Sequence, residues 1–183
     1  MSVCLGIDPD SRYIAMAMGS SQGILDVYAH KIPKVGKDDL EPMIKALAHH
    51  IPAFVKSLKL DPVWPMRIIV EGQLIYPGGK EQPNDLLKLA RIAGAAAGVC
   101  AVLYPDKKII IPKPYEWKGT VPKRVHQARI YNNLGWGYKQ TKHYAYPLKP
   151  QVGKDLKQTE WKHVGDAVGL CQWGAGLDLT NLS

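Results

Sequence analysis

Residues 3–17, Val-Cys-Leu-Gly-Ile-Asp-Pro-Asp-Ser-Arg-Tyr-Ile-Ala-Met-Ala, constrain the fold more than any other part of the chain. A short apolar run ends in one acid, Asp8. Pro9, Asp10 and Ser11 form a turn, and a second apolar run leads away from Tyr13 to Met18. The first run is short, β-rich and bounded by turn residues, which predicts a buried strand, with the second run as its hairpin partner. Asp8 then sits at the end of a central strand. A carboxylate there is costly unless it is paired, hydrogen-bonded or bound to a metal.

The rest of the chain is read against that position. Gly23 to His30 predicts a third strand after a turn at residues 20–23. Residues 38–58 carry apolar side chains at helical spacing, with Asp38 as a cap, Pro42 in the first turn and Pro52 expected to kink or split the helix. His49 and His50 are expected on the surface of that helix. Met66 to Val70 predicts another buried strand, and it too ends in an acid, Glu71. If the two strands are parallel neighbours, both carboxylates emerge at the C-terminal edge of the sheet, where ligands of α/β folds collect.

Residues 76–83 read as an exposed loop. A helix is predicted over 85–103, capped by Asn84, with a middle of Gly94, Ala95, Ala96, Ala97 and Gly98 that lets another backbone come close. Burial within the chain is the expected use of that small-residue stretch. Residues 108–111 predict a short strand, 122–133 a helix ended by Gly135, and 135–158 a basic loop without clear period. The last helix is expected to start near Thr159 and to carry His163 and Asp166 on one face. The fold class expected is α/β, a mixed sheet with antiparallel opening hairpins, then parallel strands, and helices on both faces. At 183 residues with 46% hydrophobic content, one domain is expected.

Composition excludes several classes. No apolar run approaches the ~20 residues needed to span a bilayer, and the N-terminus lacks the n- and h-regions of a signal peptide. Cys4, Cys100 and Cys171 are far apart and form no CxxC pair, so neither a disulfide framework nor a zinc knuckle is expected. An intracellular setting (cytoplasm or nucleoid) follows as an expectation. The net charge of +8 is unevenly placed: residues 105–163 hold 13 Lys and Arg against 4 Asp and Glu. Such a segment suits a polyanion, most often nucleic acid.

Asp8, Glu71 and Asp166 with His163 would make a hard, oxygen-rich site with one imidazole. That donor set suits Mg²⁺ or Mn²⁺ better than Zn²⁺. Two such ions, roughly 3.5–4 Å apart, can activate a water and stabilise the leaving oxygen of a phosphodiester. An acidic pocket in a basic surround is therefore expected to hydrolyse nucleic acid.

The stretches Gly6-Ile-Asp-Pro-Asp-Ser-Arg12, Val70-Glu-Gly-Gln73 and His163-Val-Gly-Asp166-Ala resemble the motifs of RuvC-type Holliday junction resolvases, within the RNase H-like nuclease superfamily. The order and spacing match over nearly the whole chain. Trp117-Lys-Gly-Thr-Val-Pro-Lys123 is more similar to phage-encoded relatives, which would place the protein in a host cytoplasm. The resemblance implies an RNase H-like fold, a homodimer formed partly by the small-residue helix, and Mg²⁺-dependent symmetric nicking of four-way DNA junctions, with Mn²⁺ able to substitute. It implies Asp8, Glu71, His163 and Asp166 as holders of two metal ions. Lys118 and Lys123 fall where the family places basic residues near the scissile phosphate. Arg124 beside them is a further candidate for DNA contact, and Tyr76 is the candidate aromatic for opening the junction. Asp10 stands where the family usually has Gly.

Other readings share parts of this pattern. Sugar-kinase-like ATPases also open with an acid in a first hairpin, but need a second glycine-rich phosphate loop that is not found here. An RNA-processing or broader branched-DNA nuclease of the same fold, and a non-catalytic branched-DNA binding protein, are the alternatives. The three acids weigh against a mere binder, which has no use for an acidic pocket facing a phosphate.

Overall fold

Alternation along the first strand sets the architecture. In β1 (Val3–Pro9) the side chains of Val3, Leu5 and Ile7 point to one face of the sheet, while Cys4, Gly6 and Asp8 share the other. The computed structural model describes residues 3–20, 22–32, 39–59, 66–72 and 83–176. β2 (Tyr13–Ser20) and β3 (Gly23–Lys31) continue as antiparallel neighbours. β4 (Met66–Val70) and β5 (Lys108–Ile110) add in parallel, giving the order β3-β2-β1-β4-β5. The expected mixed sheet is thus present. The register pairs Ile7 with Val70, so Asp8 and Glu71 follow at the same edge.

One face of the sheet packs under α1 (Glu41–Ser57) and α2 (Pro83–Leu103). Leu5, Ile7, Met16, Ile68 and Val70 meet Met43, Leu47 and Ile51 of α1 and Ile92, Ala96 and Cys100 of α2. Each such fully buried apolar side chain contributes about 1.5–3 kcal/mol relative to exposure. α1 runs through Pro52 as one helix, so of the expected kink or split the split does not occur. Ile51 and Phe54 on either side of the proline are both buried in the same core, and this packing holds the helix together where a backbone hydrogen bond is lacking. The expected cap Asp38 lies outside the described residues. Asp39 Oδ1 accepts the Glu41 N–H at 3.0 Å. His50 is not simply solvated: its Nδ1 is 2.8 Å from the Tyr28 hydroxyl.

α2 begins by Pro83, so Asn84 lies within its first turn. By length and composition Asn84–Leu103 is apolar enough to cross a membrane, contrary to the expectation that no run reaches that length. Its Ile92, Ala93, Ala96 and Cys100 are instead buried in the core. The small residues divide between faces. Ala96 is buried, whereas a Cβ added at Gly94 or Gly98 would meet no atom within 4 Å among the described residues.

The other face is covered by α5 (Gln158–Gly174), flanked by the short α3 (Pro114–Lys118) and by α4 (Lys123–Asn133). α5 starts before the expected Thr159, and Glu160 accepts the Lys157 N–H at 2.6 Å. Cys4, Ala15, Ala17 and Ile69 present a low surface to Val164, Ala167, Val168 and Cys171. Gly6 is the reason α5 lies so close: a Cβ there would stand 2.2 Å from the Ala167 carbonyl oxygen. Residues 135–158, expected to be loop, contain a hairpin of β6 (Tyr138–Gln140) and β7 (Ala145–Pro147). Its base is fixed by an aromatic cluster of Tyr131, Trp136 and Trp161, with ring centroids 5.9–6.2 Å apart. Three-residue strands are too short to show a period.

Candidate metal centre

Three acids converge from three elements. Asp8 leaves β1, Glu71 follows β4, and Asp166 comes from α5, which Gly6 admits to the sheet. Glu71 has the same parity as Ile69 and so points to the α5 side, as Asp8 does. Each offers one carboxylate oxygen, and these lie within 4.8 Å of one another, all buried. They open on a cleft of about 140 Å³ that Asp10, Lys123 and His163 also line.

Electrostatics follow from this crowding. Burial, with Glu71 and Asp166 next to it, pushes the Asp8 carboxyl well above its ordinary range. Burial pushes Asp166 the same way, but Lys123 and Lys118 outweigh it and hold its pKa below the usual value. Lys123 makes a salt bridge with Asp166 Oδ2, and Lys118 Nζ lies 3.1 Å from Glu71 Oε1. Burial opposes both ammonium charges, yet Asp166 with Asp8 raises Lys123, and Glu71 with Asp166 raises Lys118. α3 aims Lys118 because the neighbouring Trp117 is buried as its anchor.

His163 lies in the cleft beside the three acids. Burial lowers its pKa to about 4, against the opposing charge of Asp10. Its Nδ1 is 3.4 Å from Asp10 Oδ2, and its ring stacks on Tyr13 at 4.6 Å. Nε2 is buried without a partner. An imidazole whose Nδ1 faces a carboxylate keeps its Nε2 lone pair for a metal. The clustered donor set is the three carboxylates, with His163 lining the same cleft but outside that cluster. Hard oxygen donors suit a hard divalent cation, and like charges so close together call for one.

Arg124 is exposed, its Nη1 donating to the Lys142 carbonyl at 3.3 Å. Tyr76 lies outside the described residues. The sequence reading missed Gln127, fully buried on α4, whose Nε2 donates to Asp166 Oδ1 at 3.2 Å. It also missed the contact of Asp10 with His163. α4 buries the polar His126, Gln127 and Tyr131 beside Ala128 and Ile130, so apolar periodicity gives no sign of Gln127.

The mixed sheet with helices on both faces, which brings the acids of two adjacent parallel strands and of the helix across them together, matches the RNase H-like fold of RuvC structures. A solved structure of T. thermophilus RuvC in complex with a Holliday junction substrate matches 97% of this chain and 98% of its own, at TM-score 0.60 and 13% identity. A further Thermus thermophilus RuvC structure covers 92% of this chain and 90% of its own, at TM-score 0.55 and 16% identity. No family model and no curated protein matches the sequence.

Proposed function

We propose that the protein is a divalent-metal-dependent endonuclease that resolves four-way DNA junctions by paired nicks. The observation that carries this reading is the convergence of Asp8, Glu71 and Asp166 within 4.8 Å in a buried cleft. The full-length likeness in fold to a RuvC bound to a Holliday junction supports the substrate class.

Asp8, Glu71 and Asp166 would hold two Mg²⁺ ions through oxygen, with His163 Nε2 as a nitrogen ligand. Bound there, the ions supply an activated water and charge stabilisation at the leaving 3′ oxygen. The protein's own share is positioning. Asp10 and the Tyr13 ring fix the His163 imidazole. Lys118 and Lys123 bring two ammonium groups to the acids, within reach of a phosphate that enters the cleft. α5 and β1 hold the carboxylates in a dry setting, where each charge acts more strongly than in water.

A homodimer would give each nick its counterpart. The outward face of α2 supports this assembly: Leu87 is 53% and Val102 82% exposed, and among the described residues no atom lies within 4 Å of a Cβ at Gly94 or Gly98. Cleavage of a fixed four-way junction, labelled on each strand in turn, tests the reading. Symmetric nicks in Mg²⁺ that vanish in EDTA and in Asp8→Asn, with binding retained, are expected. Equal cutting of forks and flaps would make it a broader branched-DNA nuclease, and cutting of structured RNA in preference would change the substrate. Tight salt-sensitive binding with no cutting would leave a binding protein.

A further inference from the structure

Between Trp117 and Lys154 the chain has eight Lys and Arg and no Asp or Glu. The structure folds this run into α4 and the β6–β7 hairpin, with a groove of about 270 Å³ between them. Arg129, Asn132, Tyr138 and Gln140 line it, together with the apolar Val125 and Ala128. Arg129, Lys139 and Lys142 are exposed on the same two elements. The hairpin turn is closed by the Thr141 hydroxyl, which donates to the Tyr144 carbonyl at 2.9 Å. Such a surface of cations, amides and a tyrosine suits sugar-phosphate contacts, and no carboxylate in the run opposes them.

The groove is tied to the acids from behind. Gln127 Oε1 accepts the Ala145 N–H of β7 at 3.1 Å. Its Nε2 donates to Asp166 Oδ1 at 3.2 Å and to the Lys162 carbonyl at 3.1 Å. One buried amide thus joins the hairpin, α4 and α5. A second tie runs through Lys123, which lies 5.5 Å from the centre of the Tyr144 ring and bridges to Asp166. Room for the Gln127 amide depends on Gly165, where a Cβ would stand 2.4 Å from the Tyr131 hydroxyl and 3.0 Å from Gln127 Nε2.

We propose that the groove between α4 and the β6–β7 hairpin seats the phosphate backbone of a duplex DNA arm, and that Gln127 is a positioning residue that holds this groove in fixed register with Asp166. The inference rests on the nuclease reading for its ligand. The hairpin sets where the backbone lies, and Gln127 transmits that position to the carboxylate.

Two sets of variants test it. In Arg129→Ala/Lys139→Ala/Lys142→Ala, the slope of log K against log salt for a junction with duplex arms should become shallower by about 0.9 for each phosphate that is no longer neutralised. Mn²⁺ affinity, followed by calorimetry without DNA, should not change. In Gln127→Met the salt slope should stay, Mn²⁺ affinity should fall about 10- to 100-fold, and the Ala145 amide should exchange faster with solvent. Gln127→Asn, which keeps the amide but shortens its reach, replaces it if the methionine variant does not fold. An unchanged salt slope in the triple variant of a protein that cuts junctions overturns the groove and leaves the nuclease reading intact. Wild-type Mn²⁺ affinity in both Gln127 variants overturns the positioning role. If the wild type cuts nothing, yet its binding to duplex arms weakens in the triple variant, the nuclease reading falls and the groove stands.

Discussion

Asp8 and Asp166 lie in one cleft and titrate in opposite directions. Asp8 is held above its ordinary value of 3.8 by burial and by its acidic neighbours. It therefore stabilises the fold fully below about pH 3.8, and that contribution is lost as pH rises through its raised folded value. Asp166 is held below 3.8 against its burial by Lys123 and Lys118. Its contribution is present above about pH 3.8 and is lost as pH falls through its lowered folded value. Once pH exceeds its raised folded value, the ionised Asp8 is the member held against burial and its acidic neighbours, and a divalent cation removes that cost. Mg²⁺ should accordingly raise the melting temperature more at pH 8 than at pH 5, a difference that scanning calorimetry would read and that Asp8→Asn should erase. An equal rise at both pH values would mean that the cation binds elsewhere. Asp8, Glu71 and Asp166 were legible in the sequence because each is a lone acid beside apolar or small residues. Gln127 was not, since an amide gives no charge or hydropathy signal.

Among the elements, α5 has the least freedom. It lies on β1 only because residue 6 has no side chain, and with it Asp166 reaches Asp8. Gly6→Ala would press a methyl group into the Ala167 carbonyl and the Cys171 amide, 2.2 and 2.6 Å away. Backbone on both sides cannot yield as a side chain can, so a loss of about 3 kcal/mol or more is expected. At about 2–4 °C per kcal/mol for a chain of this size, that is roughly a 6–12 °C fall in melting temperature. A variant melting within two or three degrees of the wild type would show that α5 can lift without penalty. The strands β1 and β4 and helix α2 could be read from their patterns, because apolar periodicity marks them, whereas α4 was marked by the stop residue Gly135 after it. The β6–β7 hairpin could not, since three-residue strands have no period and their anchor is an aromatic cluster distant in sequence. At Pro52 local backbone chemistry allowed a kink or a split, and the burial of Ile51 and Phe54 on either side accompanies a helix that does not split.

Over the whole molecule, the basic run and the small-residue helix are different elements. The basic run belongs to α4 and the hairpin, next to the acids, while α2 exposes Leu87, Val102 and Leu103 together with Gly94 and Gly98. In the proposed homodimer this separation would let two copies associate through α2 and leave both basic faces open to DNA. Light scattering should give twice the mass of one chain, and Val102→Glu should return it to one. A wild-type monomer that still makes paired nicks would remove α2 from the account.

The protein also carries its own gauge of opening. Cys4 and Cys171 lie between the sheet and α5, where the Cys171 thiol donates to the Cys4 carbonyl at 3.1 Å. Cys100 lies under α2 on the opposite face, and all three are fully buried. Burial also pushes the Cys100 thiol up to about 12, which leaves almost no thiolate to react. A thiol reagent can then modify the folded chain only as fast as it opens, and each half of the core has a reporter of its own. Mg²⁺ clasping β1 to α5 should slow the labelling of Cys4 and Cys171 more than that of Cys100. Equal slowing at all three would show that the two halves come apart only together.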